Sequence, residues 1–157
     1  AAGAQGPFLH TVLERLCGDT ETLARALARS LLISVDNAHA LHPNYENKHD
    51  PQHQPRLNGG PVIKFNANQR YATNSETAAT FRELCTRAGV PVQSIAMRSD
   101  MACGSTIGPI TSTVLGVNTV DVGAPQLGMH SIRETTGWKD PVLLYQALLQ
   151  LFESEKL

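Results

Sequence analysis

The chain has 157 residues, 41% hydrophobic and 17% charged, and is therefore long and apolar enough to bury a core of its own. Its net charge of −1 argues against a nucleic-acid-binding or anionic-membrane surface, which would need a basic excess. No apolar run approaches the ~20 residues of a membrane span. The three cysteines are widely spaced and fit no disulfide framework. We expect one domain, residues 1–157, with reduced thiols in the cytoplasm.

Hydrophobic residues repeat alternately with helical and strand periods along the chain. Helices are predicted at residues 8–16, after Asp19, after Asn74 or Ser75, at about 107–115, and from Asp140 and Pro141 onward, with a core stripe at Leu144, Leu148, Leu151 and Phe152. Strands are predicted at 31–35, 61–66, 92–97 and 118–122. This alternation predicts an α/β fold in which helices pack on a mixed, largely parallel sheet.

The first candidate site residues follow the first predicted strand. Asp36 comes directly after it, and His39 and His42 follow at three-residue steps. Carboxylate and neutral imidazole are ligands that zinc, cobalt and manganese accept. The alternative is that Asp36 fixes a loop and the histidines bond to backbone groups, because this spacing is a weak pattern by itself.

Two further candidates lie on later strands. Lys64 sits in the apolar strand 61–66. It either reaches a cleft, where with Tyr71 it holds a substrate carboxylate or an oxyanion, or it lies on the solvent face of an edge strand. His130 is the only histidine in the second half of the chain and follows a Gly/Pro loop. Its position suits a metal ligand at a strand end, with Glu134 available to hydrogen-bond to it.

A glycine-rich turn at residues 103–109 precedes the fourth predicted helix. Free backbone N–H groups at such a turn make a small anion site. The turn matches neither a P-loop nor a dinucleotide-binding motif. Cys103, beside glycine in this turn, is also a candidate reactive thiol.

Five runs of the sequence together resemble the C-terminal part of the aspartyl aminopeptidase family of two-zinc aminopeptidases. They match in order and spacing, and the resemblance covers essentially the whole chain. The runs are SVDNAHALHPNY at 34–45, GPVIK at 60–64, QRYA at 69–72, CGSTIGP at 103–109 and MHSIRE at 129–134.

The resemblance implies a role for each candidate. Asp36 is similar to the terminal carboxylate ligand of one metal, and His130 to the histidine ligand of the other, so both should face one pocket. His39, Lys64 and Tyr71 are similar to substrate-binding residues. The family removes N-terminal residues, often Asp or Glu, from peptides with a water activated by two zinc ions, which cobalt or manganese can replace, and it forms homo-oligomers.

The chain departs from the family in what it lacks. The family's other metal ligands and its general base, which belongs to an adjacent pair of glutamates, lie upstream of the matching region, and no Glu-Glu pair occurs in this sequence. The expected fold is an incomplete zinc-exopeptidase-like catalytic domain, and we expect the isolated chain to bind zinc poorly and to cleave nothing.

Two alternatives remain open from the residues. One is a non-enzymatic metal-binding module. The other is a protein-interaction domain in which the histidine-rich loop, residues 39–53, is incidental. The module would use Asp36, His39, His42, His49 and His53.

Overall fold

The computed structural model describes residues 3–98, 100–101, 103–104 and 106–155; Ser105 of the predicted anion-binding turn lies outside them. The helices are α1 (Phe8–Cys17), α2 (Thr20–Leu27), α3 (Ser75–Arg87), α4 (Ile107–Leu115) and α5 (Asp140–Glu153). The strands are β1 (Leu31–Val35), β2 (Ala38–His39), β3 (Val62–Phe65), β4 (Gln93–Ala96), β5 (Asn118–Gly123), β6 (Pro125–Leu127) and β7 (Thr135–Thr136). Every predicted helix and strand is present. Residues 43–60 form a long polar loop, which begins with a short 3-10 segment, Pro43–Lys48.

The main sheet has the strand order β1-β5-β3-β4. β1 runs parallel to β5 and β3 parallel to β4, while β3 and β5 pair antiparallel. The predicted mixed, largely parallel sheet is therefore confirmed. A second, smaller sheet has the order β2-β6-β7, and its strands are too short to give a periodic signal in the sequence.

The two sheets join at a kink after β1. Beyond the last paired residues of β1, the Asp36 N–H still donates to the carbonyl of Val122 at 3.0 Å, and the Ala38 N–H donates to that of Ala124 at 2.9 Å. The backbone passes very close to β5 here, since a Cβ built on Gly123 would lie 1.7 Å from the Asp36 carbonyl oxygen. Glycine at position 123 thus permits the close approach of the two chains at the kink.

The main core lies between this sheet and the helix pair α3 and α5. It is formed by wholly buried side chains from both layers, among them Ile63, Phe81, Leu84 and Val122. α5 turns Ala147 into this core, with Leu144 and Leu151 packed beside it. The prediction that Phe152 belongs to the core is wrong, since its side chain is 83% exposed.

Helix α1 is confirmed, but the apolar stripe that predicts it is not covered. None of its residues is buried, and Phe8 and Leu16 are 79% and 77% exposed. Gly18 ends the helix in the left-handed conformation, at φ 87°. In the part of the chain that the structure describes, no helix has the length and apolar character needed to cross a membrane.

The pair Asp140-Pro141 is typical of a cap and a first-turn proline, but in the structure the N-cap residue of α5 is Lys139, and Asp140 is the first residue of the helix. The two carboxylate oxygens instead accept hydrogen bonds from the backbone N–H groups of Asn58 and Gly60, at 2.7 and 3.0 Å. Asp140 therefore ties the end of the long polar loop to the helix that covers the core.

We expect Asp140→Ala to lower the free energy of unfolding by about 2–4 kcal/mol, because one buried and one partly buried N–H group lose their acceptor. The measurement is the urea-unfolding midpoint. Asp100→Ala is the control, since Asp100 is exposed and forms an ion pair with the exposed Arg98, and its effect should be much smaller. Equal losses in the two variants would contradict the role of Asp140.

Gly123→Ala should also destabilise the protein, by about 1–3 kcal/mol, because the added methyl group collides with backbone at the kink. Gly104→Ala is the matched control, since a Cβ there meets nothing within 4 Å. Denaturant unfolding of both variants measures the difference. An unchanged midpoint in Gly123→Ala would show that the kink adapts at no cost.

Candidate functional site

Asp36 and Lys64 meet at the kink between the two sheets. The side chain of Asp36 is 54% exposed, whereas that of Lys64 is 2% exposed. The Lys64 ammonium donates to the carbonyl oxygens of Asp36 and Asn37, at 3.1 and 3.3 Å, and lies 3.7 Å from the Asp36 carboxylate. β3 is an interior strand, so the alternative that Lys64 lies on the solvent face of an edge strand is wrong.

The Lys64 ammonium is held in a partly dry environment. Burial lowers the pKa of Lys64, and the negative charges of Asp36 and Asp121 offset part of that effect. An ammonium has three N–H groups, of which two serve the kink carbonyls. One donor is left for the Asp36 carboxylate or for a ligand in front of it.

Tyr71 lies beside Lys64. The Lys64 nitrogen is 5.2 Å from the centre of the Tyr71 ring, within cation–π range. Burial raises the pKa of the Tyr71 phenol, and the Cys103 thiol raises it further. The phenol therefore stays protonated at neutral pH and can donate a hydrogen bond.

His39 lies at the centre of the remaining candidates. Burial lowers the pKa of its imidazole, and repulsion from His49, Lys64 and His130 lowers it further, while Asp36 acts in the opposite direction. The low pKa keeps this ring neutral at neutral pH, so that it has one N–H to donate and one nitrogen to accept.

His130 follows β6, the strand that pairs with β2. It is exposed, and its backbone is in the left-handed region at φ 67°. The Glu134 carboxylate accepts a hydrogen bond from the backbone N–H of His130 at 2.6 Å. Glu134 thus fixes the backbone that presents the imidazole.

A metal ion would find suitable but incomplete ligands here. The exposed Asp36 carboxylate and His130 imidazole are of the type that zinc prefers. Among the described residues, no three His, Cys, Asp or Glu side chains form a group that could hold a metal ion. Two such ligands fit part of a zinc site and need partners from outside the described chain.

Two rings of the histidine-rich loop are engaged locally. His53 Nδ1 lies 2.7 Å from the Asp50 carboxylate, and His42 Nδ1 accepts a hydrogen bond from the Asn44 N–H at 3.1 Å. The contact of His42 is the bond to a backbone group that the sequence offers as the alternative to metal binding, and the metal-binding module stays a hypothesis.

A cavity of about 470 Å³ opens beside His39. Its walls combine the histidine-rich loop with Met97 after β4 and Met129 before His130. Both ring nitrogens of His49 are buried at this site without a hydrogen-bond partner among the described residues. The walls of this cavity come from segments far apart in the chain, so no local pattern in the sequence indicates that His49 belongs to it.

The predicted anion-binding turn faces a carboxylate of the chain itself. The Thr106 hydroxyl, at the N-terminal end of α4, donates to the Asp121 carboxylate at 2.7 Å. A Cβ built on Gly108 would lie 2.2 Å from the same carboxylate. A bound anion would meet the negative charge of Asp121 at this helix end, so the turn does not favour one.

Comparisons with known proteins agree with this geometry. Residues 1–152 match the family described as aminopeptidase I zinc metalloprotease (M18). A probable M18 family aminopeptidase 2 of Ectopseudomonas mendocina is 58% identical over 157 residues, which are 100% of this chain and 37% of that relative. The chain therefore spans little more than a third of this relative's length.

Two solved structures have the same fold. A chain of the cryo-EM structure of the Ape4 and Nbr1 complex superimposes with a TM-score of 0.90 at 43% identity, over 97% of this chain and 30% of that one. A chain of the S. cerevisiae mApe1 dodecamer gives 0.84 at 33% identity, over 96% and 34%. With a family match over nearly all of its residues, the chain belongs to the M18 family of zinc metalloaminopeptidases.

Proposed function

We propose that residues 1–157 are the C-terminal portion of the catalytic domain of an aminopeptidase that removes N-terminal residues from peptides. The observation that carries this proposal is the cluster at the kink, where the buried Lys64 ammonium lies 3.7 Å from the exposed Asp36 carboxylate and 5.2 Å from the centre of the Tyr71 ring. His39 lies on β2, directly after the kink, and lines the cavity. Such a group of donors and acceptors beside a cavity suits the binding of a peptide terminus.

In this proposal Asp36 and His130 each give one ligand to a pair of zinc ions, with cobalt or manganese as substitutes. When bound, such a pair of ions polarises the scissile carbonyl group and lowers the pKa of a water molecule. The remaining ligands and the general base belong to other parts of the full-length polypeptide, by which we mean this chain with the residues that flank it in the native protein.

The substrate contacts come from the chain's own donors. Lys64 has one N–H to spare and a positive charge, and Tyr71 has a protonated hydroxyl at the same place. Both can hold a substrate carboxylate, which supports a preference for N-terminal Asp or Glu. His39, kept neutral by burial, can accept a hydrogen bond from a substrate amine or donate one to a carbonyl oxygen.

We also propose that the native protein is longer and forms a homo-oligomer. The length of the relatives supports the first point, as does the uncovered apolar face of α1, with Phe8 and Leu16 largely exposed. The dodecamer of S. cerevisiae mApe1 supports the second. The mass of the native polypeptide and of its assembly in solution tests both.

The first test uses the full-length polypeptide with an aspartyl-coumarin substrate. Asp36→Ala and His130→Ala should each lower kcat/KM by at least about 100-fold, because each removes a metal ligand. Each should also lower the zinc retained after gel filtration. The 157-residue chain by itself should show no turnover.

The control for this test is His53→Ala, since His53 is paired with Asp50 away from the site. Its zinc content and kcat/KM should stay close to those of the unmodified protein. Full activity and full zinc content in both Asp36→Ala and His130→Ala would overturn the proposed function.

The second test separates the two roles of Lys64. If Lys64 recognises an acidic side chain, Lys64→Met should lower kcat/KM for an aspartyl substrate by about 10- to 100-fold and spare an alanyl substrate. Lys139→Met is the control, since in the described part of the chain the ammonium of Lys139 contacts the exposed Trp138 ring and no candidate site residue. An equal fall in kcat for both substrates would contradict a role in acidic preference and indicate oxyanion stabilisation instead. Unfolding midpoints show whether the kink survives the substitution.

A further inference from the structure

We propose that Asp121 is a positioning residue, which fixes Tyr71 in the orientation that binds substrate. This inference rests on the proposed function for the role of Tyr71. Asp121 lies on β5, is wholly buried and belongs to none of the candidate groups found in the sequence.

The Asp121 carboxylate joins three segments of the chain. One oxygen accepts hydrogen bonds from the hydroxyl groups of Ser34 and Thr106, both at 2.7 Å. The other oxygen accepts a hydrogen bond from the backbone N–H of Ala72, also at 2.7 Å. In addition, the Asp121 N–H donates to the Thr73 hydroxyl at 2.9 Å.

Each of these partners lies within three residues of a candidate residue named in the sequence analysis. Ser34 is two residues before Asp36, and Ala72 directly follows Tyr71. Thr106 belongs to the same turn as Cys103, whose thiol raises the pKa of the Tyr71 phenol. Asp121 therefore anchors the backbone directly after Tyr71, through Ala72, and ties the turn before α4 to the same strand.

The segment that carries Tyr71 has little other support. It is a turn between β3 and α3. Its other local hydrogen bonds go from the backbone N–H groups of Asn68 and Arg70 to the side chain of Asn66, and from the N–H of Gln69 to the Asn66 carbonyl oxygen. In the described part of the chain, two hydrogen bonds join residues 71–73 to the sheet, and both involve Asp121. Its carboxylate accepts one from Ala72, and its N–H donates the other to Thr73. Without this residue the turn could move independently of β5.

A buried carboxylate is a costly way to fill a core position. No lysine, arginine or histidine among the described residues lies within 4.0 Å of the Asp121 carboxylate, so no direct ion pair offsets the cost of its burial. Three neutral donors on one carboxylate do offset part of it, and they give a fixed geometry that a hydrophobic side chain could not supply. This favours positioning over simple packing as the role of Asp121.

The first experiment measures amide hydrogen exchange in residues 66–73 of the full-length polypeptide. Asp121→Ala leaves the Ala72 N–H without an acceptor, and its exchange should accelerate by at least about tenfold. Asp121→Asn keeps one acceptor oxygen for three donors and should give a smaller change, about threefold. Thr119→Val is the control on the same strand, since the Thr119 hydroxyl bonds only to Val117.

The second experiment is a double-mutant cycle with Tyr71→Phe, read as KM and kcat on the aspartyl substrate. Asp121→Ala should raise KM by about tenfold with little change in kcat, and Asp121→Asn should restore most of the loss. The double variant Asp121→Ala/Tyr71→Phe should be no worse than Tyr71→Phe alone, because Asp121 acts through Tyr71. If Asp121→Ala fails to fold, Asp121→Asn replaces it in the cycle.

The outcomes separate this inference from the proposed function. Unchanged exchange in both Asp121 variants, or strictly additive losses in the cycle, would overturn the positioning role. Activity that survives Asp36→Ala and His130→Ala would overturn the proposed function, and the exchange rates would still report whether Asp121 holds the Tyr71 segment.

Discussion

The bond between the Lys64 ammonium and the carbonyl oxygens of the kink is the contact on which the site depends. At the kink, β1 gives way to β2 and the Asp36 and Asn37 carbonyls turn toward β3. Buried carbonyl groups need a donor, and a charged donor makes stronger hydrogen bonds than a neutral one. Burying a lysine is costly, but here its ammonium satisfies backbone groups that would otherwise be left without partners.

The same contact explains how Asp36 can be both fixed and available. Its backbone N–H bonds to Val122 and its carbonyl to Lys64, so the main chain is held from two sides. Its carboxylate is half-exposed and lies 3.7 Å from the Lys64 ammonium. A side chain on a backbone held in this way needs little reorganisation to bind, which is how a rigid scaffold favours binding.

Buried carboxylates organise the loops around this sheet. Asp140 holds the end of the long polar loop. Asp121 holds the turn that contains Tyr71 and the turn before α4. In both cases the acceptor is at an element's end or on a strand, and the donors come from irregular segments. Loops that carry function have few backbone partners of their own, and these two side chains supply them.

The sequence by itself determined the elements and their class, because helical and strand periods and the turn residues are local signals. It also identified Asp36, His39, Lys64, Tyr71 and His130 as candidates, through motifs whose spacing resembles that of one family. Only the tertiary structure decided that Lys64 is buried beneath the kink, that Asp140 ties a loop instead of capping its helix, and that Phe152 is exposed. The tertiary structure also decided that Asp121 is buried and accepts hydrogen bonds from three separate segments of the chain. These outcomes depend on which residues, distant in the chain, become neighbours across the sheet, and no periodicity within a single element carries that information.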